Sequence, residues 1–169
     1  MDEQNALEWK RRTCCFSGHR ILSKEEQQSI RLRLPTVLQK LINEGYCCFA
    51  AGGTKGFDTI AALTVLELRE MYPHIRLLLI LPCKDQDARW RKKEQELYQT
   101  ILQQADDVIY TSDFYFNGCM HIRNRALVAA SSCCIAFLRD GTPAKSGTVY
   151  TVKHAREEGL KVENLSDKR

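Results

Sequence analysis

Short runs of almost entirely apolar or β-prone residues alternate along this chain with longer stretches of helical periodicity. Such runs, with little polar alternation, are typical of strands that are covered on both faces, as in a parallel sheet. Five runs have this character, at residues 13–17, 46–51, 75–82, 107–112 and 133–140, and residues 160–165 are predicted as a sixth strand.

Apolar residues at helical spacing predict a helix between each pair of strands. In the first of these segments Ile30, Leu34 and Leu38 share one face, Ser23 and Glu26 form a capping-box pattern, and Pro35 predicts a kink or a break. The other predicted helices cover residues 58–71, about 90–105, 117–131 and 147–158.

Strands that alternate with helices, without repeats, predict a three-layer α/β domain with a mainly parallel sheet of five to six strands and helices on both faces. The length of 169 residues favours one domain over residues 1–169, with residues 1–11 as a flexible or appended segment. No apolar run approaches the roughly 20 residues of a membrane span, and the N-terminus lacks a secretory pattern. We therefore expect a soluble, cytoplasmic protein.

The cysteines indicate packing more than chemistry. Six of the eight form adjacent pairs inside predicted strands, where they are expected to act as small buried hydrophobes. No Cys/His spacing is typical of zinc, so we expect no metal and no disulfide. Cys83 and Cys119 lie in predicted loops, either as reactive thiols or as ordinary loop cysteines.

Small and cationic residues follow the predicted strands, where ligands bind in an open parallel sheet. Two glycine loops, at Gly52-Gly53 and at 146–148, precede helices, so their N–H groups and a helix dipole could hold a phosphate. Neither matches a P-loop or GxGxxG motif, and a simple turn is the alternative. The candidate ligand-binding residues are Ser17, Gly18, Arg20, Gly52, Gly53, Asp58, Arg123, Asn124, Ser146, Gly147 and Thr148.

Several of these residues also have a plain structural interpretation. Asp58 could accept hydrogen bonds from a ribose or simply favour the first turn of a helix, and Arg123 could form a surface ion pair. Gln86 and Trp90 could line a base pocket, or Trp90 could pack in the core. His19 has no visible partner and is more typical of a structural hydrogen bond.

Taken in order, SGHR, GGxxGFD, PxxxQxxxW, RN and SGT resemble the YpsA-like branch of the SLOG superfamily, over nearly the whole chain after residue 12. The resemblance implies a Rossmann-like domain that binds a nucleotide or a nucleotide-derived molecule such as ADP-ribose or NAD. The superfamily also includes the LOG phosphoribohydrolases and the DprA DNA-processing proteins. The resemblance thus favours a bacterial protein that binds or senses such a ligand without a further cofactor.

One departure from the LOG pattern bears on catalysis. LOG enzymes carry a PGGxGTxxE-type motif with a catalytic glutamate, whereas here Thr151 stands at that position. Threonine cannot act as a carboxylate acid or base. A hydrolase acting on an N-glycosidic or phosphate bond would then use Asp58, the candidate catalytic residue, or another carboxylate. A DNA or protein interaction module of DprA type is the third hypothesis, although the net charge of +4 is low for a dedicated nucleic-acid binder. A homo-oligomer is compatible with the sequence.

Overall fold

The structure, a computed structural model, describes residues 2–166 and contains one six-stranded parallel sheet. The strands are β1 Thr13–Gly18, β2 Cys48–Ala51, β3 Arg76–Leu81, β4 Asp107–Tyr110, β5 Cys133–Phe137 and β6 Lys161–Asn164. The helices are α1 Glu3–Arg11, α2 Lys24–Asn43, α3 Phe57–Met71, α4 Lys92–Gln104, α5 Cys119–Ala129 and α6 Gly147–Glu157. The strand order is β4-β3-β2-β1-β5-β6, with every neighbouring pair parallel. The predicted α/β fold and sixth strand are confirmed.

Helices cover both faces of the sheet. Apolar side chains of α2, α3 and α4, including Leu34, Val65 and Ile101, pack on one face, while α5 and α6 pack on the other through residues such as Leu127 and Val152. The central strands β1, β2 and β5 are almost completely buried, which explains why their sequences lack polar alternation.

Helix α2 begins at the predicted capping box but does not break at Pro35. The Ser23 Oγ accepts a hydrogen bond from the Glu26 backbone N–H at 3.0 Å, and a Glu26 carboxylate oxygen accepts one from the Ser23 N–H at 2.8 Å. The helix continues from Lys24 to Asn43. Leu34 and Leu38 are both fully buried, so packing on either side of the proline keeps the helix intact despite the lost hydrogen bond.

The N-terminal segment forms a helix that the sequence did not predict. Residues 1–11 were expected to be flexible or appended, yet α1 spans Glu3–Arg11 and is capped by Asp2, whose Oδ1 accepts from the Asn5 N–H at 2.8 Å. No residue of α1 is buried. Its three apolar residues, Ala6, Leu7 and Trp9, all remain exposed, so the helix does not present the buried apolar stripe from which the other helices were predicted.

Five of the six paired cysteines are buried in the core as predicted, whereas Cys47 is half-buried and lies just before β2. Cys14 faces Cys133 and Cys15 faces Cys134 across the β1–β5 ladder, and all four are fully buried. All eight cysteines are free. Cys83 is also fully buried, and burial raises the pKa of its thiol to about 11, so it is not a thiolate at neutral pH.

Gly18 is required where β1 meets α3. A Cβ built on Gly18 would lie 2.4 Å from Cγ of Phe57, a fully buried side chain. We expect Gly18→Ala to lower the free energy of unfolding by about 1–3 kcal/mol, because the buried ring has to shift. Urea unfolding followed by circular dichroism measures this loss.

Gly147→Ala is the matched control, since its Cβ would lie 3.7 Å from the nearest atom, Nδ2 of Asn124. Its stability should change by less than about 0.5 kcal/mol. Equal losses in the two variants would contradict the steric explanation.

Candidate functional site

A cavity of about 340 Å³ opens at the point where the strand order reverses. From β1 the chain proceeds to β2 on one side, whereas from β5 it proceeds to β6 on the other. The loops after β1 and β5 therefore diverge and leave a crevice at the carboxyl edge of the sheet. We call this space the switch-point cavity.

The end of β1 forms one wall of the switch-point cavity. Ser17 and Gly18 line it, and Arg20 lies at its rim with an exposed side chain. Arg20 forms no ion pair with any residue in the range 2–166. Its guanidinium is therefore available to an anion in the cavity.

The N-terminus of α6 forms the opposite wall. Ser146 is the N-cap residue, and its Oγ accepts a hydrogen bond from the Thr148 N–H at 3.2 Å. Gly147 and Thr148 also line the cavity. The positive end of the α6 dipole, with two hydroxyl groups and an exposed glycine, favours a phosphate or carboxylate here.

Asp58 lies in the first turn of α3, 5% exposed, with its carboxylate in the cavity wall. Its Oδ2 accepts hydrogen bonds from the Thr54 hydroxyl at 2.7 Å and from the Thr54 N–H at 3.3 Å. Oδ1 accepts none from the residues that the structure describes. This oxygen can therefore bind a ligand hydroxyl.

Arg123 places a second buried charge near Asp58. Its side chain is 4% exposed, Nη1 donates to the Gly52 carbonyl, and Nε donates to Oδ1 of Asn124 at 2.8 Å. Burial raises the pKa of Asp58, and the positive charge of Arg123 partly opposes this effect. Burial likewise lowers the pKa of Arg123, which the Asp58 charge opposes. The two groups compensate one another's desolvation.

Gly52 and Gly53 have roles other than lining this cavity. A Cβ on Gly52 would lie 2.6 Å from Nη1 of Arg123 and 3.0 Å from Oδ2 of Asp58, so this glycine makes room for the two buried charges. Gly53 has a φ of 72° and lines a neighbouring cavity. Seven other candidates line the switch-point cavity together with Asp58 and Arg123: Ser17, Gly18, Arg20, Asn124, Ser146, Gly147 and Thr148.

Sequence reasoning missed Thr54, Met120 and His121, which also line the cavity. Thr54 lies four residues before Asp58, in the loop that leads into α3, and its hydroxyl was a visible signal. Met120 lies four residues before Asn124 on α5, so helical spacing would have placed it on the same face.

His19 and Thr151 have structural contacts. The His19 Nε2 accepts a hydrogen bond from the Arg139 N–H at 3.0 Å, and burial lowers the pKa of His19, so the ring is a neutral acceptor. The Thr151 hydroxyl donates to the Gly147 carbonyl at 2.8 Å within α6, and Thr151 does not line the cavity. Thr151, the residue at the LOG glutamate position, thus directs its hydroxyl to the backbone of its own helix.

Two features are absent from the described part of the chain. Within residues 2–166, no three or more His, Cys, Asp or Glu side chains are grouped so that they could hold a metal ion. In the same range, no helix combines the length and apolar character needed to cross a bilayer.

The all-parallel sheet and its switch-point cavity define a Rossmann-like α/β protein. The YpsA family model, described as YspA SLOG family, matches residues 20–165. The chain belongs to this SLOG family, as the ordered motifs predicted.

Relatives in this family are bacterial. A UPF0398 protein of Bacillus pumilus is 40% identical over 81 residues, 48% of this chain and 44% of that protein. A UPF0398 protein of Halalkalibacterium halodurans is 27% identical over 120 residues, 70% of this chain and 64% of that protein. The SPbeta prophage-derived protein YoqJ of Bacillus subtilis is 28% identical over 141 residues, 76% of this chain and 81% of that protein. The matches to the two UPF0398 proteins span less than two thirds of their length.

Solved structures with the same fold include two DNA processing proteins A. The protein from Streptococcus pneumoniae superposes with a TM-score of 0.62 at 18% identity, over 94% of this chain and 50% of that chain. The protein from Helicobacter pylori, which binds single-stranded DNA, superposes with a TM-score of 0.63 at 21% identity, over 95% of this chain and 67% of that chain. At these identities the likeness concerns the fold.

The Asp58–Arg123 charge compensation can be measured by a double-mutant cycle. We expect Arg123→Met to lower the free energy of unfolding by about 3 kcal/mol, because Asp58 then remains buried without a compensating cation. In an Asp58→Asn background the same substitution should cost less. Chemical denaturation of the four proteins gives the coupling.

Arg125→Met, an exposed change on the same helix, should have little effect and serves as the control. If Arg123→Met costs as much in the Asp58→Asn background as in the wild-type background, the two charges are not coupled.

Proposed function

We propose that the chain binds or senses a nucleotide or a nucleotide-derived ligand, of the ADP-ribose or NAD type, in the switch-point cavity. The observation that carries the proposal is the meeting of three ligand-binding features in one space. They are the N-terminus of α6, the guanidinium of Arg20 without an ion-pair partner in the described chain, and the free carboxylate oxygen of Asp58.

Each feature has a counterpart in a sugar phosphate. A phosphate suits the first turn of α6 and Arg20, since backbone N–H groups, hydroxyls and a guanidinium are all donors to anionic oxygens. The Asp58 Oδ1 is an acceptor and suits a ribose hydroxyl. The volume of about 340 Å³ lies at the small end of the range of ligand pockets, about 300–1,000 Å³, and fits a compact polar group.

The comparisons support a nucleotide- or DNA-related role. Membership of the SLOG family is consistent with nucleotide binding, and the two solved neighbours are DNA processing proteins. Small-molecule binding is the better supported of these alternatives in this chain, because the donors and the carboxylate face into a cavity.

Arg20→Gln tests the proposal directly. The side chain is exposed and has no ion-pair partner in the described chain, so its loss should leave the fold intact while removing a charged hydrogen bond to phosphate. In isothermal titration calorimetry with AMP, ADP-ribose and NAD, we expect at least one ligand to bind and the variant to bind it about ten-fold or more weakly.

Arg125→Gln removes an equal charge from α5 outside the cavity lining and should leave the affinity unchanged. Absence of binding by all three ligands to the wild-type protein would contradict the proposal. An equal loss of affinity in both variants would mean that the effect of Arg20→Gln comes from the change in net charge and not from a contact with the ligand.

The environment of Asp58 favours one second candidate, a hydrolase of the N-glycosidic bond. Burial raises the pKa of this carboxyl, which increases the protonated fraction available to donate a proton to a departing base while water attacks the sugar. Liquid chromatography of nucleoside monophosphates incubated with the protein should then show free base.

Asp58→Asn should lower that rate by about 10²-fold or more, with Arg125→Gln as an unchanged control. Circular dichroism verifies that the Asp58→Asn variant is folded. If the nucleotides remain intact after prolonged incubation with the wild-type protein, the hydrolase candidate is wrong and the cavity serves for binding alone.

A further inference from the structure

A second and larger cavity of about 770 Å³ adjoins the switch-point cavity. Arg20 and Asp58 line both spaces, so the two are neighbours across the loop that ends at Gly56. Trp90 lies in the wall of the larger space, which we call the Trp90 chamber. Its lining combines aromatic and aliphatic side chains with a group of cations.

The aromatic wall of the Trp90 chamber is ordered by protein contacts. The Trp90 and Tyr98 rings meet edge to face with centroids 5.1 Å apart, and Tyr98 is 4% exposed. The Gln86 Nε2 lies 3.3 Å from the Tyr98 hydroxyl and 3.4 Å from the Gly53 carbonyl, both on chamber-lining residues. Trp90 is only half-buried and presents part of its ring to the chamber.

The charges of the chamber are mainly positive. Five cations line it, namely Arg20, Arg31, Lys55, Arg89 and Arg91, against the two carboxyl groups of Asp58 and Glu94. Lys55 is paired with Glu94 at 3.6 Å and lies 5.7 Å from the centre of the Trp90 ring. The four arginines form no ion pair with residues 2–166.

We propose that the Trp90 chamber is a second subsite of the nucleotide-binding site and that the ligand is a two-part molecule, a nucleoside diphosphate joined to a sugar. An aromatic base packs against Trp90, the diphosphate lies at Arg20 between the two spaces, and the terminal sugar with its adjoining phosphate occupies the switch-point cavity. This proposal rests on the proposed function and names its ligand class.

Two physical arguments support a two-part ligand over a mononucleotide. The switch-point cavity offers hydrophilic contacts and a small volume, suited to a sugar and phosphate. The aromatic surface lies in the adjoining, larger Trp90 chamber. Arg20, which has no ion-pair partner in the described chain, lines both the chamber and the switch-point cavity. Base stacking on an aromatic side chain and a guanidinium on phosphate are the contacts that such a molecule needs.

Ribose 5-phosphate and ADP-ribose separate the two subsites, since the first lacks the adenosine half of the second. In isothermal titration calorimetry, we expect ADP-ribose to bind the wild-type protein at least about ten-fold more tightly. Trp90→Ala should weaken ADP-ribose about ten-fold, the size of one lost stacking contact, and leave ribose 5-phosphate unchanged. Trp90→Phe should restore most of the affinity.

Trp9, the other tryptophan, lies on α1 and lines neither space, so Trp9→Phe is the matched control and leaves Trp90 as the sole tryptophan fluorophore. In that variant ADP-ribose should change the tryptophan emission, and ribose 5-phosphate should not. This measurement needs no substitution at Trp90 and therefore stays valid if Trp90→Ala fails to fold.

The outcomes separate the two proposals. Equal affinities for both probes, or an unchanged Trp90 emission with saturating ADP-ribose, would overturn the second subsite. Binding of ribose 5-phosphate would in that case still support the switch-point cavity as a binding site. Failure of both probes to bind would overturn the second subsite, and failure of AMP and NAD as well would overturn the proposed function.

Discussion

Parallel pairing of β1 with β2 on one side and with β5 on the other is the constraint on which the site depends. The connections from β1 and β5 run in opposite directions, so no loop closes the space above these two strands. Because β1 and β5 are nearly fully buried, their position is fixed by packing on both faces. Ser17, Gly18 and the N-terminus of α6 are therefore held at a crevice by strands that are packed on both faces.

The buried charges of Asp58 and Arg123 add a second constraint. Neither group is in water, so each needs the other's charge and its own hydrogen bonds to remain stable inside the protein. Gly52 has no side chain because these two groups occupy the space where one would be. The Gly52-Gly53 loop, which was predicted to hold a phosphate, thus makes room for a carboxylate and a guanidinium at the cavity wall.

The site of this SLOG family member combines donors with an acceptor. Donors from α6 and Arg20 and the carboxylate of Asp58 line the same cavity. Thr151, at the position of the LOG glutamate, is engaged within its own helix. Thr151 therefore supplies no carboxylate to the cavity, whereas Asp58 on α3 does.

The strands, most of the helices, the family and the residues at the carboxyl edge could all be predicted from the sequence, because buried parallel strands have continuous apolar runs and their following loops meet at one edge. The sequence could not reveal α1, whose few apolar residues are not buried, or the continuity of α2 through Pro35, which depends on packing of Leu34 and Leu38. Which edge residues share a cavity became clear only in three dimensions, since this depends on side-chain direction and on strand order. Gly52 was therefore assigned to the ligand although it makes room for Arg123, and Thr54 and His121 were found only once α3 and α5 were in place.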